Sequence, residues 1–198
     1  VTVPGGAIDA SMRYVISAAG MVPNKDINVV TTGGVGALMT ALLAGKLEGA
    51  LLLSPATEQA VLSGKAKILI DLAMGQGPEA LNQPFLVGVV LQSYLQAHPD
   101  AVRQVRDAML EAMAFIRNPA NLDRVTQIAQ DKVYGGQIDE AVARKSIETL
   151  AVTMNHPWFD ETDLERVQDV VEKVGAPQAK VTYDQVVATS VVPPAPAK

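Results

Sequence analysis

Three short turns of small or hydroxylated residues are the candidates for binding chemistry. They are Gly5-Gly6, Thr32-Gly33-Gly34 and Ser54-Pro55, and each precedes a stretch with helical periodicity. The first N–H groups of a helix have no partner within the helix and carry partial positive charge, so they favour an anion or a polar head group. Tight turns also need small residues for structural reasons alone. The succession of three such turns favours a binding site.

The sequence offers no constellation for catalysis or for nucleotide binding. The stretch TTGGVGALM has Met39 where a dinucleotide fingerprint needs glycine or alanine, and no GxxxxGK[ST] phosphate loop occurs. Cysteine is absent, which excludes disulfides, thiol catalysis and thiolate metal sites. We therefore expect no catalytic residue, no metal and no cofactor, and we expect function to rest on binding.

Other residues that could do chemistry have structural interpretations. His98 and His156 each precede a proline at a predicted boundary, which is typical of turn or cap residues. Asp9 lies in the first turn of a predicted helix, where the dipole stabilises acids, and Glu48 lies in a polar turn. Trp158, the single tryptophan, is predicted to pack at a helix junction rather than to stack on a ligand.

Composition narrows the class of protein. The 198 residues are 48% hydrophobic, which indicates a globular chain long enough to bury a core. The net charge of −5 and the lack of a basic stripe argue against nucleic acid as a partner. No apolar run approaches the roughly 18 residues that a transmembrane helix needs.

The alternation of predicted strands and helices positions the three turns. Three strand–helix units followed by one more strand predict a parallel sheet with crossover helices, which places all three turns at the same edge. The predicted strands are residues 1–3, 27–31, 50–53, 66–72 and 85–91. Three helices lie between the first four strands. The first follows the Gly5-Gly6 turn, and the other two span 36–44 and 56–62.

The second half of the chain is predicted to be mainly helical. A Gly/Pro-rich segment, 73–84, indicates a crossover or hinge before the last strand. Helices are expected from Pro99 to Asn118, over 122–133, from Asp139 to Met154, and from Thr162 to Val174 before Gly175 and Pro177. Thr162 and Glu165 have the spacing of a capping box. The final VVPPAPAK has nothing to bury and is predicted to be disordered.

The order of these elements resembles a known family. The run VTVPGG…AAGMVPNKDINVV…ALMTALLAGKLEGALLLSPATEQAVLSGKAKILID is similar to ABC-transporter substrate-binding proteins of the nitrate/sulfonate/taurine type, the SsuA/TauA-like or NMT1/THI5-like superfamily. The run HPDAVRQVRDAMLEAMAFIRNPAN resembles a helix of the same family. The departure is at Glu48-Gly49-Ala50, where Asp-Ala is usual and a glycine is inserted.

The resemblance implies an α/β fold of the type II periplasmic-binding-protein architecture, with two three-layer αβα lobes, truncated at its N-terminus. It implies three parts: residues 1–78 as the second ligand-binding lobe, 79–183 as the mainly helical half of the first lobe, and 184–198 as a Pro/Ala-rich tail. The helices after His98 would then lack strands that they normally cover, and apolar surface would be exposed.

The resemblance also implies a function. The protein is expected to capture a small anionic or polar organic solute between two lobes and to deliver it to an ABC permease and its ATPase, without a covalent step. It is expected to be a monomer when full-length and to be periplasmic or extracellular and membrane-associated, with its signal sequence outside this fragment. The positions that match ligand-facing turns are Gly5, Gly6, Ala7, Thr32, Gly33, Gly34, Ser54 and Pro55.

Two alternatives stay open at this point. The superfamily includes enzymes that synthesise the pyrimidine of thiamine, but these use a cysteine-rich segment that this sequence lacks. The same two-lobed fold serves as the effector-sensing domain of transcription regulators, which would need a DNA-binding helix-turn-helix upstream of Val1.

Overall fold

Helices dominate the architecture of residues 1–175 and 179–192, which are the residues that the structure, a computed structural model, describes. The helices are α1 (Ala7–Ala18), α2 (Val35–Leu43), α3 (Ala56–Leu62), α4 (Gln92–Ala97), α5 (Pro99–Arg117), α6 (Leu122–Ala129), α7 (Glu140–Thr153), α8 (Glu161–Lys173) and α9 (Tyr183–Val186). Short 3₁₀ turns lie at Leu72–Met74, Glu79–Leu81 and Pro119–Asn121, and a π-helical turn lies at Gln130–Tyr134.

The predicted strands are the main correction. Within the described residues the structure has one isolated bridge, between Pro23 and Ile27, and no β-ladder. The predicted strands 66–72 and 85–91 are irregular, and the backbone groups of residues 66–70 and 84–90 make no hydrogen bond with any described residue. A β-branched sequence sets the preference for an extended chain, but a strand also needs a neighbour to pair its N–H and C=O groups. The layered αβα architecture is therefore absent from the described residues.

One fragment of the predicted parallel pairing is present. The N-terminal amine of Val1 donates to the carbonyl of Val30 (2.8 Å), and the N–H of Thr32 donates to the carbonyl of Val1 (3.0 Å). Val1 thus bonds to the residues on either side of Thr31, which is the hydrogen-bond pattern of two parallel strands. The first two predicted strands thus lie side by side for the length of one pairing.

The predicted helices agree with the structure to within a few residues at most of their ends. The sequence predicted α3 at its observed bounds, and α5 begins at Pro99 because proline at the first helical position loses no intrahelical bond. The predicted helix 122–133 is instead α6 followed by the π-helical turn, which ends at Gly135 with a φ of 57°. That left-handed conformation favours glycine.

The start of α8 differs from the predicted capping box. Asp160, not Thr162, is the N-cap: its carboxylate accepts from the N–H of Asp163, and the carboxylate of Asp163 accepts from the N–H of Asp160, both at 3.0 Å. Thr162 lies inside the first turn. The sequence carries two overlapping candidate boxes. In the one that forms, the N-cap Asp160 lies immediately before the first helical residue.

The clearest apolar core lies in the second half of the chain. Val125 and Ala129 on α6 pack with Ile147 on α7, and partly buried side chains close around them: Ile116, Leu122, Tyr134 and Leu150. Helices from the two predicted lobes also pack on one another, α1 on α8 and α3 on α7. The domain boundary at residue 78 stays a prediction.

Much apolar surface is exposed, as expected from the resemblance. On α5, Val105 and Met109 are 61% and 55% exposed, while Leu69 and Val89 in the irregular segments are more than 90% exposed. No helix of the described residues combines the length and the apolar composition of a membrane span.

The predicted tail is only partly described. Its first residues belong to α9, and Val191 is buried, with its carbonyl accepting from the Arg106 guanidinium at 2.9 Å. The expectation that VVPPAPAK has nothing to bury is therefore wrong for Val191. Residues 193–198, and Pro177 as a helix terminator, lie outside the described residues.

Candidate functional site

The structure brings two of the three predicted turns together. The N–H of Gly33 donates to the carbonyl of Thr2 (2.9 Å), and the Thr32 hydroxyl donates to the carbonyl of Val1 (3.2 Å). These bonds hold the Thr32-Gly33-Gly34 turn against the segment that leads into Gly5-Gly6. The Ser54-Pro55 turn makes no hydrogen bond with either of them in the described part of the chain.

The first turn already holds a carboxylate of its own chain. Gly6 is the N-cap of α1, exposed Ala7 is its first residue, and Asp9 is its third. The buried Asp9 carboxylate accepts from the N–H of Gly5 (2.9 Å) and from Nε of Arg13 (2.9 Å). A carboxylate of the chain itself therefore lies beside this turn and puts a negative charge at the start of α1.

The electrostatics of Asp9 agree with this role. Burial raises the pKa of Asp9, but the hydrogen bonds from Arg13 and Gly5 and the positive charges of Arg13 and the N-terminal amine outweigh it. The net pKa of Asp9 lies below its ordinary value. Asp9 is thus a structural anion rather than a general acid or base.

The third turn repeats the arrangement. Pro55 is the N-cap of α3, and buried Glu58 is its third residue. The hydroxyl of Ser54, itself exposed, donates to Oε1 of Glu58 at 2.7 Å. The other oxygen, Oε2, is buried and has no partner among the described residues. Burial, and after it the Glu58 charge, raise the pKa of the Tyr134 hydroxyl.

The second turn differs because no acid follows it. Gly34 is the N-cap of α2, and the first turn of α2 contains no acidic residue and no side-chain cap. The N–H groups of Val35, Gly36 and Ala37 make no hydrogen bond with any described residue. Gly36 and Ala37 are exposed and Val35 is half-buried. This helix end offers free donors and the positive end of the helix dipole.

The three helix starts can be compared position by position. The third helical position is Asp9 in α1, Glu58 in α3 and Ala37 in α2. An acid at that position bonds back to the turn that precedes it, as in a capping box. The spacing of these acids is visible in the sequence, but their bonds to the preceding turns were not predicted from it. Two of the three turns therefore have a carboxylate of the chain beside them, and one does not.

The remaining polar residues have structural roles. His156 Nε2 lies 2.9 Å from Oδ2 of the buried Asp163, and its ring centroid is 4.4 Å from that of Trp158. The His98 ring lies 4.7 Å from that of Tyr94. These contacts accord with the prediction of turn and junction residues. No group of three or more His, Asp or Glu residues in the described ranges could hold a metal ion.

Comparison with known proteins identifies similar chains. The family model described as "NMT1-like family" matches residues 1–130. The nitrate/nitrite binding protein NrtA of Synechococcus elongatus is 27% identical over 148 residues, which are 73% of this chain and 32% of NrtA. The nitrate import ATP-binding protein NrtC of the same organism is 25% identical over 137 residues, 68% of this chain and 20% of NrtC.

These relatives are much longer than the matched region. The chain spans about a third of NrtA and a fifth of NrtC. No solved structure matches the chain significantly.

Proposed function

This chain belongs to the NMT1-like family, and from that premise we propose that it captures a small anionic or polar solute of the nitrate/sulfonate/taurine class for an ABC importer. The two relatives support this proposal, since one is named as a nitrate/nitrite binding protein and the other as an ATP-binding protein of nitrate import. The proposed partners are a membrane permease and its ATPase, and the proposed location is outside the cytoplasm. Binding needs no covalent step.

The start of α2 is the observation that carries the proposal. Its free N–H groups at Val35, Gly36 and Ala37 can donate to an anion, and no carboxylate competes for them. Thr32, Gly33 and Gly34 form the turn at this end of the helix. We assign them as the principal ligand-facing residues, with Gly5, Gly6 and Ala7 beside them.

The other predicted turns have a supporting part. Asp9 and Glu58 already occupy the donors at Gly5 and Ser54, so these turns would shape the wall of the site rather than bind the charge. Ser54 and Pro55 are proposed as the third wall. An anion would therefore meet one open helix end flanked by two neutralised ones.

A substitution at Ala37 tests the assignment. Ala37→Glu places an acid at the third position of α2, the position of Asp9 in α1, where its charge would repel an anion from the free N–H groups. We expect the substitution to weaken anion binding at least about tenfold while adding roughly 0.3–1 kcal/mol of helix stability. Loss of binding could then not be attributed to unfolding. Isothermal titration of the whole chain with nitrate, taurine and succinate measures the effect.

Thr40→Glu is the matched control. Thr40 is an exposed residue one turn further along α2, so its substitution adds the same charge away from the helix start. It should leave the dissociation constant within about threefold. Equal binding by Ala37→Glu and the wild type, or stabilisation by neutral solutes only, would contradict the proposal.

We also propose that the full binding protein has the two-lobed αβα architecture, in which the irregular segments 66–70 and 84–90 are paired strands. Their unpaired backbone and exposed apolar side chains, including Leu69 and Val89, support this. Hydrogen exchange tests it on a longer form of the protein that includes the other half of the first lobe. The amides of 84–90 should exchange slowly there and fast in the 198-residue chain; fast exchange in both would rule out the pairing.

A further inference from the structure

The last described segment of the chain, residues 179–192, lies across two helices, and we call it the strap. Its first part contacts α8, since Nε2 of Gln168 donates to the carbonyl of Val181 at 3.2 Å. Its last part contacts α5, where the Arg106 guanidinium donates to the carbonyl of Val191 at 2.9 Å. Because α8 packs on α1 and α5 packs on α7, the strap connects two helix pairs.

Two side chains of the strap anchor it, one near each end. The Tyr183 hydroxyl donates to the carbonyl of Phe159 at 2.6 Å, and the two rings are stacked with their centroids 6.5 Å apart. Val191 is buried, whereas most residues of the strap are exposed. The ion pair between Lys180 and Glu172 is exposed on both sides, so it adds little to the attachment.

No backbone–backbone hydrogen bond joins the strap to another part of the described chain. The N–H groups of Gln185, Val187, Val191 and Val192 donate to carbonyls inside the strap. Detachment therefore breaks only bonds that involve side chains and uncovers little apolar surface. A segment with few buried apolar contacts opens at a lower free energy than the core. Once detached it would lose its structure, because its one helix, α9, has only four residues.

We propose that the strap is a detachable link between α8 and α5, which opens and closes as one unit while the rest of the chain stays folded. The anchoring groups are the Arg106 guanidinium and the Tyr183 hydroxyl. The internal hydrogen bonds of the strap overlap from Thr182 to Val192 and couple its two ends. Loss of either anchor should therefore loosen both ends. In the open state the strap no longer fastens the α1–α8 pair to the α5–α7 pair.

Hydrogen exchange of the whole 198-residue chain, resolved by residue with NMR, tests the proposal. The amides of Gln185, Val187, Val191 and Val192 should be protected at least about 100-fold less than that of Ile147, which lies in the apolar cluster on α7. Their protection factors should agree with one another within about threefold, because one opening exposes them all. Equal protection of the strap and α7 would mean that the strap opens only when the whole chain unfolds, and would overturn the proposal.

Arg106→Met removes one anchor. The variant keeps an apolar stem on α5 but loses the donor to the Val191 carbonyl. We expect the amides of Gln185 and Val187, at the far end, to exchange faster by the same factor as that of Val191, about tenfold or more. The protection of α7 should not change, which shows that the variant is folded. Faster exchange at Val191 alone, or no acceleration at all, would overturn the proposal.

Arg103→Met is the matched control. Arg103 lies on the same helix and pairs with Asp100, and it makes no hydrogen bond with the strap as far as the chain is described. Its substitution should leave exchange in the strap within about twofold of the wild type. Equal acceleration by Arg103→Met and Arg106→Met would overturn the proposal.

Tyr183→Phe tests the other anchor. It keeps the ring that stacks on Phe159 and removes the hydroxyl that donates to the Phe159 carbonyl. We expect exchange at Val191, at the opposite end of the strap, to become at least about fivefold faster. Unchanged exchange at Val191 would show that the two ends open independently, and would overturn the proposal.

Discussion

Single side chains decide which helix starts in the described residues carry a negative charge beside them. Asp9 accepts from the Gly5 amide and Glu58 accepts from the Ser54 hydroxyl, so each neutralises the start of its own helix. Ala37, at the equivalent position of α2, has no group that could do so. The difference between a structural turn and a candidate anion site thus rests on one residue type at the third helical position.

Asp9 should contribute stability that depends on pH. Because its pKa is lower in the folded chain than in the unfolded chain, its contribution is present at neutral pH and is lost as pH falls from about 4 through the folded pKa. Asp9→Asn should lower the free energy of unfolding at pH 7 by about 1–3 kcal/mol, since a buried charge-assisted bond is lost. Urea denaturation at pH 7 and at pH 2–4 measures the difference, which should shrink in acid.

Asp184→Asn provides the comparison. Asp184 is exposed in the first turn of α9, and its replacement should change the unfolding free energy by no more than about 0.5 kcal/mol at either pH. An Asp9→Asn deficit that stayed constant down to pH 2 would contradict the assignment of Asp9 as a buried anion.

At the scale of elements, the sequence predicted helices far better than strands. Local signals set a helix: Pro99 at a first position, Asp139 as an N-cap and Gly20 with a φ of 77° past α1 are all visible in the sequence. A strand depends on a distant neighbour. The run 85–91 has the composition of a strand but no backbone partner among the described residues. The local sequence could not show whether such a partner is present.

The candidate site was predictable to a similar degree. The three turns and the helices behind them follow from small residues before periodic stretches, and the structure places those helices close to the predicted bounds. The bonds of Asp9 and Glu58 were not predicted, since an acid in a first turn has a general dipole effect that hides a specific bond. The bonds of Asp9 and Glu58 decide which turns have a carboxylate of the chain beside them.

The capping box of α8 can be tested directly. Asp160→Ala removes the N-cap acceptor for the Asp163 N–H and should lower the free energy of unfolding by about 1 kcal/mol. Thr162→Ala, the cap predicted from the sequence, should cost less than about 0.5 kcal/mol because Thr162 is exposed inside the helix. Thermal and urea denaturation of both variants gives the ranking. A larger loss for Thr162→Ala would restore the sequence-based assignment.

At the scale of the whole molecule, apolar surface is incompletely covered. Irregular segments with unpaired backbone and side chains as exposed as Leu69 and Val89 are sites at which chains associate. The buried apolar residues, in contrast, are dispersed over several helices, and the cluster between α6 and α7 is small. The 198-residue chain should therefore associate with itself at high concentration.

Val89→Lys tests that expectation. Val89 is 91% exposed, so the substitution should leave the free energy of unfolding within about 0.5 kcal/mol while a lysine on an unpaired edge opposes association. Light scattering after size-exclusion chromatography should show a larger monomer fraction at high concentration. Gln137→Lys, at an exposed turn outside the segment, adds the same single charge and controls for charge alone. The same gain from Gln137→Lys would locate the association elsewhere.

The contact between α1 and α8 has a consequence for synthesis on the ribosome. The Tyr14 hydroxyl donates to Asp169 (2.7 Å) and accepts from Lys173 (3.0 Å), across 155 and 159 residues of chain. Translation at roughly 5–20 residues per second separates these partners by about 8 to 30 seconds. During that time the apolar side of α1 has no α8 to cover it. A chaperone that holds the nascent chain would find an uncovered apolar surface there.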